Sequence, residues 1–209
     1  MPGHPLSATI GEWDVVLTTT LLLIVLLLLK RRDEIAKPAA GNAEAGWIVW
    51  IAQGCGIGRI PFAPGTWGSL LGFVWFGLLV GTGSFLIYGI GVVLGALASV
   101  WICGEAEKRL GMTDPGSVVL DEIVAIPLCF AGWMTSRHLQ GQGMPEPGYF
   151  LEGIGAAWTL AVFGLFRLFD IAKPWPVRQT QRLPGGWGVT ADDLAAALYV
   201  NFVLLFMTK

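Results

Sequence analysis

Charged residues are sparse in this chain, and most of those whose spacing suits chemistry fall in three short runs. One run, Asp114-Pro115-Gly116-Ser117-Val118-Val119-Leu120-Asp121-Glu122, leads into the apolar stretch Ile123 to Trp133. Adjacent carboxylates at the mouth of an apolar helix are costly to bury unpaired, so Asp121 and Glu122 call for a polar cavity, a basic partner or a cation. A hard divalent ion such as Mg²⁺ takes oxygen ligands and keeps several waters, which leaves coordination sites for a phosphate. The plainer alternative has Asp114 capping the helix and the pair lying at an interface. A second run, Arg167-Leu168-Phe169-Asp170-Ile171-Ala172-Lys173-Pro174-Trp175-Pro176-Val177-Arg178, places Arg167, Asp170 and Lys173 every third residue, on one face of a helix that lasts until the prolines. Cation, anion and cation on one face suit a phosphate with its metal; snorkelling side chains around an interfacial Trp175 are the alternative. After Leu183-Pro184-Gly185-Gly186-Trp187-Gly188 another carboxylate pair, Asp192-Asp193, opens the last apolar stretch, where capping would occupy only one of the two.

The remaining run, Gln53 to Ser69, crowds glycines, Pro61, Pro64 and Arg59 ahead of an apolar helix. Glycines let backbone N–H groups approach an anion, a helix N-terminus adds partial positive charge, and Arg59, Thr66 and Ser69 can donate to phosphate oxygens. It is neither a Walker loop nor a dinucleotide fingerprint, and a turn with Thr66 as helix cap is the competing account.

These runs are held by a chain of 209 residues, 54% hydrophobic and 13% charged, with a mean hydropathy of +0.64. A soluble domain carries about a quarter charged residues. Six apolar stretches approach the roughly 20 residues needed to cross a bilayer: 15–29, 67–80, 84–103, 118–133, 154–166 and 194–207. The reading is an all-α, polytopic membrane helical bundle of about six apolar helices, some short or interfacial. Residues 1–46 form an N-terminal anchor and polar linker, and 47–209 the main membrane domain. Lys30, Arg31 and Arg32 follow the first stretch rather than precede it, the reverse of a cleavable leader, so a retained anchor with its N-terminus outside is expected. Alternation then places eleven of the thirteen basic residues inside, with Arg137 and Lys209 outside, and brings every polar run to the inner face. Glycines along the second and third stretches suit close helix packing.

A net charge of −2 and the lack of a basic run interleaved with aromatics argue against nucleic-acid binding. Cys55, Cys103 and Cys129 are too scattered for a disulfide framework or a metal knuckle and read as packed thiols. Two histidines, His4 and His138, exclude a paired-histidine phosphatase, and no Asp-x-Asp supports an aspartyl-phosphate route. Cys103 and Arg109 stand at C-x5-R spacing, but Glu105 and Glu107 lie where a phosphate loop wants bare N–H groups, so the spacing is read as chance. An ion or proton transporter using the carboxylates is the alternative from another class. The carboxylates gather at helix ends, however, and draw no path across. A non-catalytic scaffold would leave three polar clusters on one side unexplained.

The segments GCGIGRIPFAPGTWGSL (54–70), DPGSVVLDEIVAIP (114–127), LFRLFDIAKPWPVR (165–178) and LPGGWGVTADD (183–193) resemble, in order and character, the phosphatidylglycerophosphatase A family. The resemblance covers about residues 47–207 and leaves 1–46 outside the pattern. It implies a Mg²⁺-dependent lipid phosphatase of the bacterial inner membrane, which takes the terminal phosphate from phosphatidylglycerophosphate in phospholipid biosynthesis and faces the cytoplasm. On that footing Asp121, Glu122, Asp170 and Asp193 are the expected metal ligands. Asp192 or Asp114, or one of those four, is the expected general base. Arg59, Thr66, Ser69, Arg167 and Arg178 are the expected phosphate contacts, with Lys173 also in the catalytic constellation. A CDP-alcohol phosphotransferase would act on the same lipids, but its ordered aspartate pattern is missing.

Overall fold

The computed structural model describes residues 46–207, all of whose regular structure is helical. The predicted span at 15–29 and the linker up to residue 45 lie outside the described residues. In chain order the elements are α1 (Trp47–Ala52), a 3-10 turn (Gly54–Arg59), α2 (Pro64–Gly81), α3 (Phe85–Leu110), α4 (Leu120–Leu139), a 3-10 turn (Pro147–Leu151), α5 (Gly153–Ala172), α6 (Val177–Thr180) and α7 (Gly186–Met207).

Local chemistry sets the boundaries. Pro64, whose missing N–H costs nothing there, starts α2. Ser84 caps α3 by accepting from the Ile87 N–H, so Gly81 to Ser84 make the tight hairpin that the sequence predicts. Gly111 ends α3 in a left-handed conformation, its N–H donating to the Lys108 carbonyl while that of Met112 donates to Glu107. Lys173 ends α5, also left-handed, ahead of Pro174.

Among the described residues four helices, α2, α3, α5 and α7, are long and apolar enough to cross a membrane, against the five of the six expected stretches that fall there. The stretch expected at 118–133 becomes α4, a helix with an acidic first turn in which every residue from Asp121 to Pro127 is buried. It packs against α2, α3, α5 and α7. The exposed apolar surface lies on its neighbours, with Leu86, Ile90, Val93, Leu94 and Leu97 on α3 and Phe202 and Phe206 on α7, the kind of face that a bilayer covers.

Pro127 interrupts the backbone ladder of α4 within the bundle. Tyr88 of α3 donates its hydroxyl to the Pro127 carbonyl at 2.5 Å. The Asn201 amide of α7 donates to the Leu128 carbonyl at 2.7 Å and accepts from the Gly132 N–H at 2.8 Å. Backbone groups that hydrocarbon could not satisfy are thus met by side chains of two neighbours. Close approach elsewhere depends on glycine: a Cβ on Gly72 would fall 2.5 Å from Ile126, and one on Gly186 only 1.7 Å from the Val100 carbonyl oxygen. Gly77 and Gly89, expected to serve packing, have nothing within 4 Å of an added Cβ.

The packing brings the start of α2, the end of α3, the start of α4, the end of α5 and the start of α7 to one end of the bundle. Gly65 meets Glu122 and Arg167 there, and Gly104 meets Gly186. Exposed Trp47, Trp50, Trp67, Trp175 and Trp187 surround the same end, the girdle expected at a membrane–water interface.

Candidate active site

Five carboxylates, Asp121, Glu122, Asp170, Asp192 and Asp193, are buried at this end together with Arg167. Asp121 and Glu122 occupy the first turn of α4. Arg167 and Asp170 face the interior from the last turns of α5, where Arg167 Nη1 donates to Asp170 Oδ2 at 2.7 Å and to Glu122 Oε1 at 3.1 Å. Lys173 leaves the helix at its left-handed residue and pairs with Asp192 Oδ2 on α7. Arg167 and Asp170 therefore share a face as the spacing predicts, whereas Lys173 turns away to the neighbouring helix.

The Asp192-Asp193 pair does not cap α7. That helix starts at Gly186, because Gly185 takes up a positive φ and accepts from the Gly188 N–H. The pair thus lies almost two turns inside the helix and is buried. Asp193 has Asp170, Asp121, Asp192 and Glu122 as electrostatic neighbours. Against the five carboxylates stand two cations, Arg167 and Lys173, in a dry setting where ionisation is costly. Burial works against the charge on Lys173, but Asp192, then Asp170 and Asp193, outweigh it and hold its pKa above the ordinary lysine value.

Gly65 and Gly68 let α2 close over this cluster. A Cβ on Gly65 would lie 2.0 Å from Glu122 Oε1 and 2.9 Å from Arg167 Nη1, and one on Gly68 2.5 Å from Glu122 Oε2. The glycine-rich start of α2 does approach an anion, and the anion is the chain's own Glu122 carboxylate, favourably placed at a helix N-terminus. Nothing in the sequence alone distinguishes that from a bound phosphate.

Thr66 is not the cap of α2, because Ala63 holds that position in a left-handed conformation. Thr66 Oγ1 is buried with no hydrogen-bond partner among the described residues, and so are Arg167 Nε and Asp192 Oδ1. The remaining expected phosphate contacts are Ser69, Arg59 and Arg178. Ser69 is buried and donates back to the Gly65 carbonyl at 2.8 Å. Arg59 is exposed and donates through Nε to Gln53 Oε1 at 2.7 Å, while Gln53 donates to Ser117 Oγ. Arg178 is exposed on α6. Asp114, expected as a possible cap of α4, is exposed in the preceding loop, and Val119 is the N-cap.

Cys103 and Cys129 are packed thiols, as expected. Cys55 is not: it is exposed in the 3-10 turn with a φ of 58°, between two glycines that are also left-handed. The C-x5-R spacing runs along a single helix, α3, with Cys103 buried and Arg109 paired to Glu105 at 3.2 Å.

The fold and this cluster define a class: a polytopic membrane protein with a buried, carboxylate-rich ionic centre at one end of its bundle. The match to known proteins is narrower. A family model described as Phosphatidylglycerophosphatase A matches residues 50–208, and the chain belongs to that family. A Haemophilus influenzae phosphatidylglycerophosphatase A is 34% identical over 155 residues, which cover 74% of this chain and 84% of the relative. The protein of that name from Escherichia coli K12 is 32% identical over 161 residues, 75% and 81% of the two chains. A Bacteroides thetaiotaomicron protein provisionally named phosphatidylinositol-3-phosphatase is 34% identical over 165 residues, 77% and 92% of the two chains. No solved structure matches the chain.

The donor set suits a hard divalent cation: every candidate ligand is a carboxylate, and the carboxylates outnumber the cations. As placed, no three His, Cys, Asp or Glu side chains among the described residues converge closely enough to hold an ion, so an ion would be held only after side-chain rotation within the cluster.

Proposed function

We propose that the chain is a Mg²⁺-dependent phosphatase that hydrolyses phosphatidylglycerophosphate to phosphatidylglycerol and inorganic phosphate at the cytoplasmic face of the bacterial inner membrane. The observation that carries the reading is the buried ionic centre, where Arg167 Nε and Asp192 Oδ1 have no hydrogen-bond partner among the described residues. Buried polar groups are almost always satisfied, so such a donor and acceptor among five carboxylates fit a site shaped for a phosphate and a water.

Arg167 and Lys173 attract the phosphomonoester. Arg167 keeps Nε for a phosphate oxygen while its Nη1 is tied to Glu122 and Asp170, which fixes the guanidinium plane. Thr66 supplies a second donor. Asp192, held through Oδ2 by Lys173, leaves Oδ1 to accept from the attacking water and orient it. The water oxygen forms a bond to phosphorus, the bond from phosphorus to the glycerol oxygen breaks, and the proton that the water gives up ends on the leaving alkoxide, which becomes the hydroxyl of phosphatidylglycerol. Asp121, Glu122, Asp170 and Asp193 would hold Mg²⁺, which when bound neutralises charge on the phosphate oxygens.

The cytoplasmic assignment rests on charge distribution. Among the described residues Arg59, Lys108, Arg109, Arg167, Lys173, Arg178 and Arg182 belong to the site end, against Arg137 at the far end of α4, the bias expected of the inner side. Purified protein in mixed micelles should release inorganic phosphate from phosphatidylglycerophosphate with Mg²⁺ and stop on chelation. Folded protein that releases none under either condition would shift the reading to the ion-path alternative, tested by liposome flux.

A further inference from the structure

A cleft of about 310 Å³ opens at the same end of the bundle, between the end of α3 with the loop after it and the loop that enters α7. Its polar lining comprises Glu107, Lys108, Asp114 and Gln181, with Thr113, and Leu183 is among its apolar members. The wall is a built structure. Asp114 takes a left-handed φ of 48°, its N–H donates to Glu107 Oε1 at 2.7 Å, and Gln181 Nε2 lies 3.5 Å from Asp114 Oδ2 on the opposite loop. Gly188 and Val189 of its lining stand on α7 one turn ahead of Asp192 and Asp193, so the cleft adjoins the buried ionic centre.

Two carboxylates make this a poor second pocket for a phosphomonoester. Carboxylate and amide acceptors beside a hydroxyl and a single cation instead suit an alcohol with one more anionic group near it. Its volume falls at the lower end of the roughly 300–1,000 Å³ typical of small-ligand sites, ample for a three-carbon polyol.

We propose that this cleft binds the glycerol of the lipid head group, the unit lying between the phosphate to be cleaved and the phosphodiester that carries the diacylglycerol. Asp114 accepts from its free hydroxyl and Gln181 donates to it, Glu107 holds Asp114 in place through the Asp114 N–H, and Lys108 meets the phosphodiester. The inference rests on the phosphatase reading and makes the cleft the part of the site that separates this substrate from phosphatidate, in which the phosphomonoester joins the diacylglycerol directly. A site built to hydrogen-bond a hydroxyl discriminates strongly against a substrate that lacks it.

The test compares phosphate release from phosphatidylglycerophosphate, phosphatidate and phosphatidylinositol 3-phosphate by the full chain in mixed micelles, for wild type, Gln181→Ala, Lys108→Ala and Leu183→Trp. The first two variants remove one contact each. The third fills the cleft from its apolar side and keeps the test decisive if a polar variant folds poorly. The expected result is a rise in KM for phosphatidylglycerophosphate of about tenfold per lost contact, with a smaller effect on kcat and a matching fall in the preference over phosphatidate. Unchanged preference in all three variants, or a fall in kcat at constant KM, overturns the head-group site while leaving the phosphatase reading intact. Wild-type protein that cleaves none of the three lipids refutes that reading, and this inference with it.

Discussion

Substituting Gly65 by alanine should separate activity from stability. The added Cβ would stand 2.0 Å from Glu122 Oε1 and 2.9 Å from Arg167 Nη1, so the carboxylate must retreat by more than an ångström. That retreat carries the 3.1 Å bond between Arg167 and Glu122 beyond hydrogen-bonding range. The displaced atom is the end of a flexible side chain, which keeps the stability cost to roughly 1–2 kcal/mol, low in the range for overpacking. Misplacing a catalytic group by about 1 Å typically costs on the order of 100-fold in rate. Gly77→Ala on the same helix is the control, because nothing lies within 4 Å of its added Cβ. It should retain full activity with a stability change within about 1 kcal/mol. Initial rates of phosphate release and thermal unfolding in detergent read the two effects separately. Gly65→Ala activity within twofold of wild type would refute the idea that the contact of α2 with Glu122 and Arg167 sets the site, and an equal loss in Gly77→Ala would trace the effect to the helix.

Asn201→Leu removes the amide that bridges the Leu128 carbonyl and the Gly132 N–H, and should lower stability by about 1–3 kcal/mol for groups left unpaired. An unchanged unfolding midpoint would mean that α4 closes its own ladder there. Cys55 is exposed at the site end while Cys103 and Cys129 are buried, so a membrane-impermeant maleimide should label the chain at Cys55 from the cytoplasmic side. Labelling in intact cells with none added in inverted vesicles would reverse the proposed orientation.

The three polar runs were legible in the sequence because charge inside an apolar chain needs a reason, and the fold gathers them at one end of the bundle. The ion pairs were less legible. Arg167 with Asp170 follows from helical spacing, but the pairing of Lys173 with Asp192 depends on a left-handed residue at the end of α5 and on α7 starting at Gly186. Gly65 reads equally well as a phosphate nest or as a close helix contact, since both need the same missing side chain. Tyr88 and Asn201 give no signal as isolated polar residues in apolar helices until Pro127 of α4 is seen beside them. Among the described residues, the stretch expected at 118–133 forms a 20-residue helix whose acidic first turn and basic last turn set it apart from the four apolar ones.

The buried carboxylates are the proposed chemical machinery, and Asp121→Asn tests that role most directly. The change is nearly isosteric and removes a carboxyl whose ionisation is opposed by burial and by Glu122, Asp192 and Asp114. The variant should therefore fold with an unfolding midpoint at or above that of wild type. Phosphate release from phosphatidylglycerophosphate in the presence of Mg²⁺ should nevertheless fall by on the order of 100-fold or more. A folded Asp121→Asn protein that keeps its rate within twofold of wild type would contradict the claim.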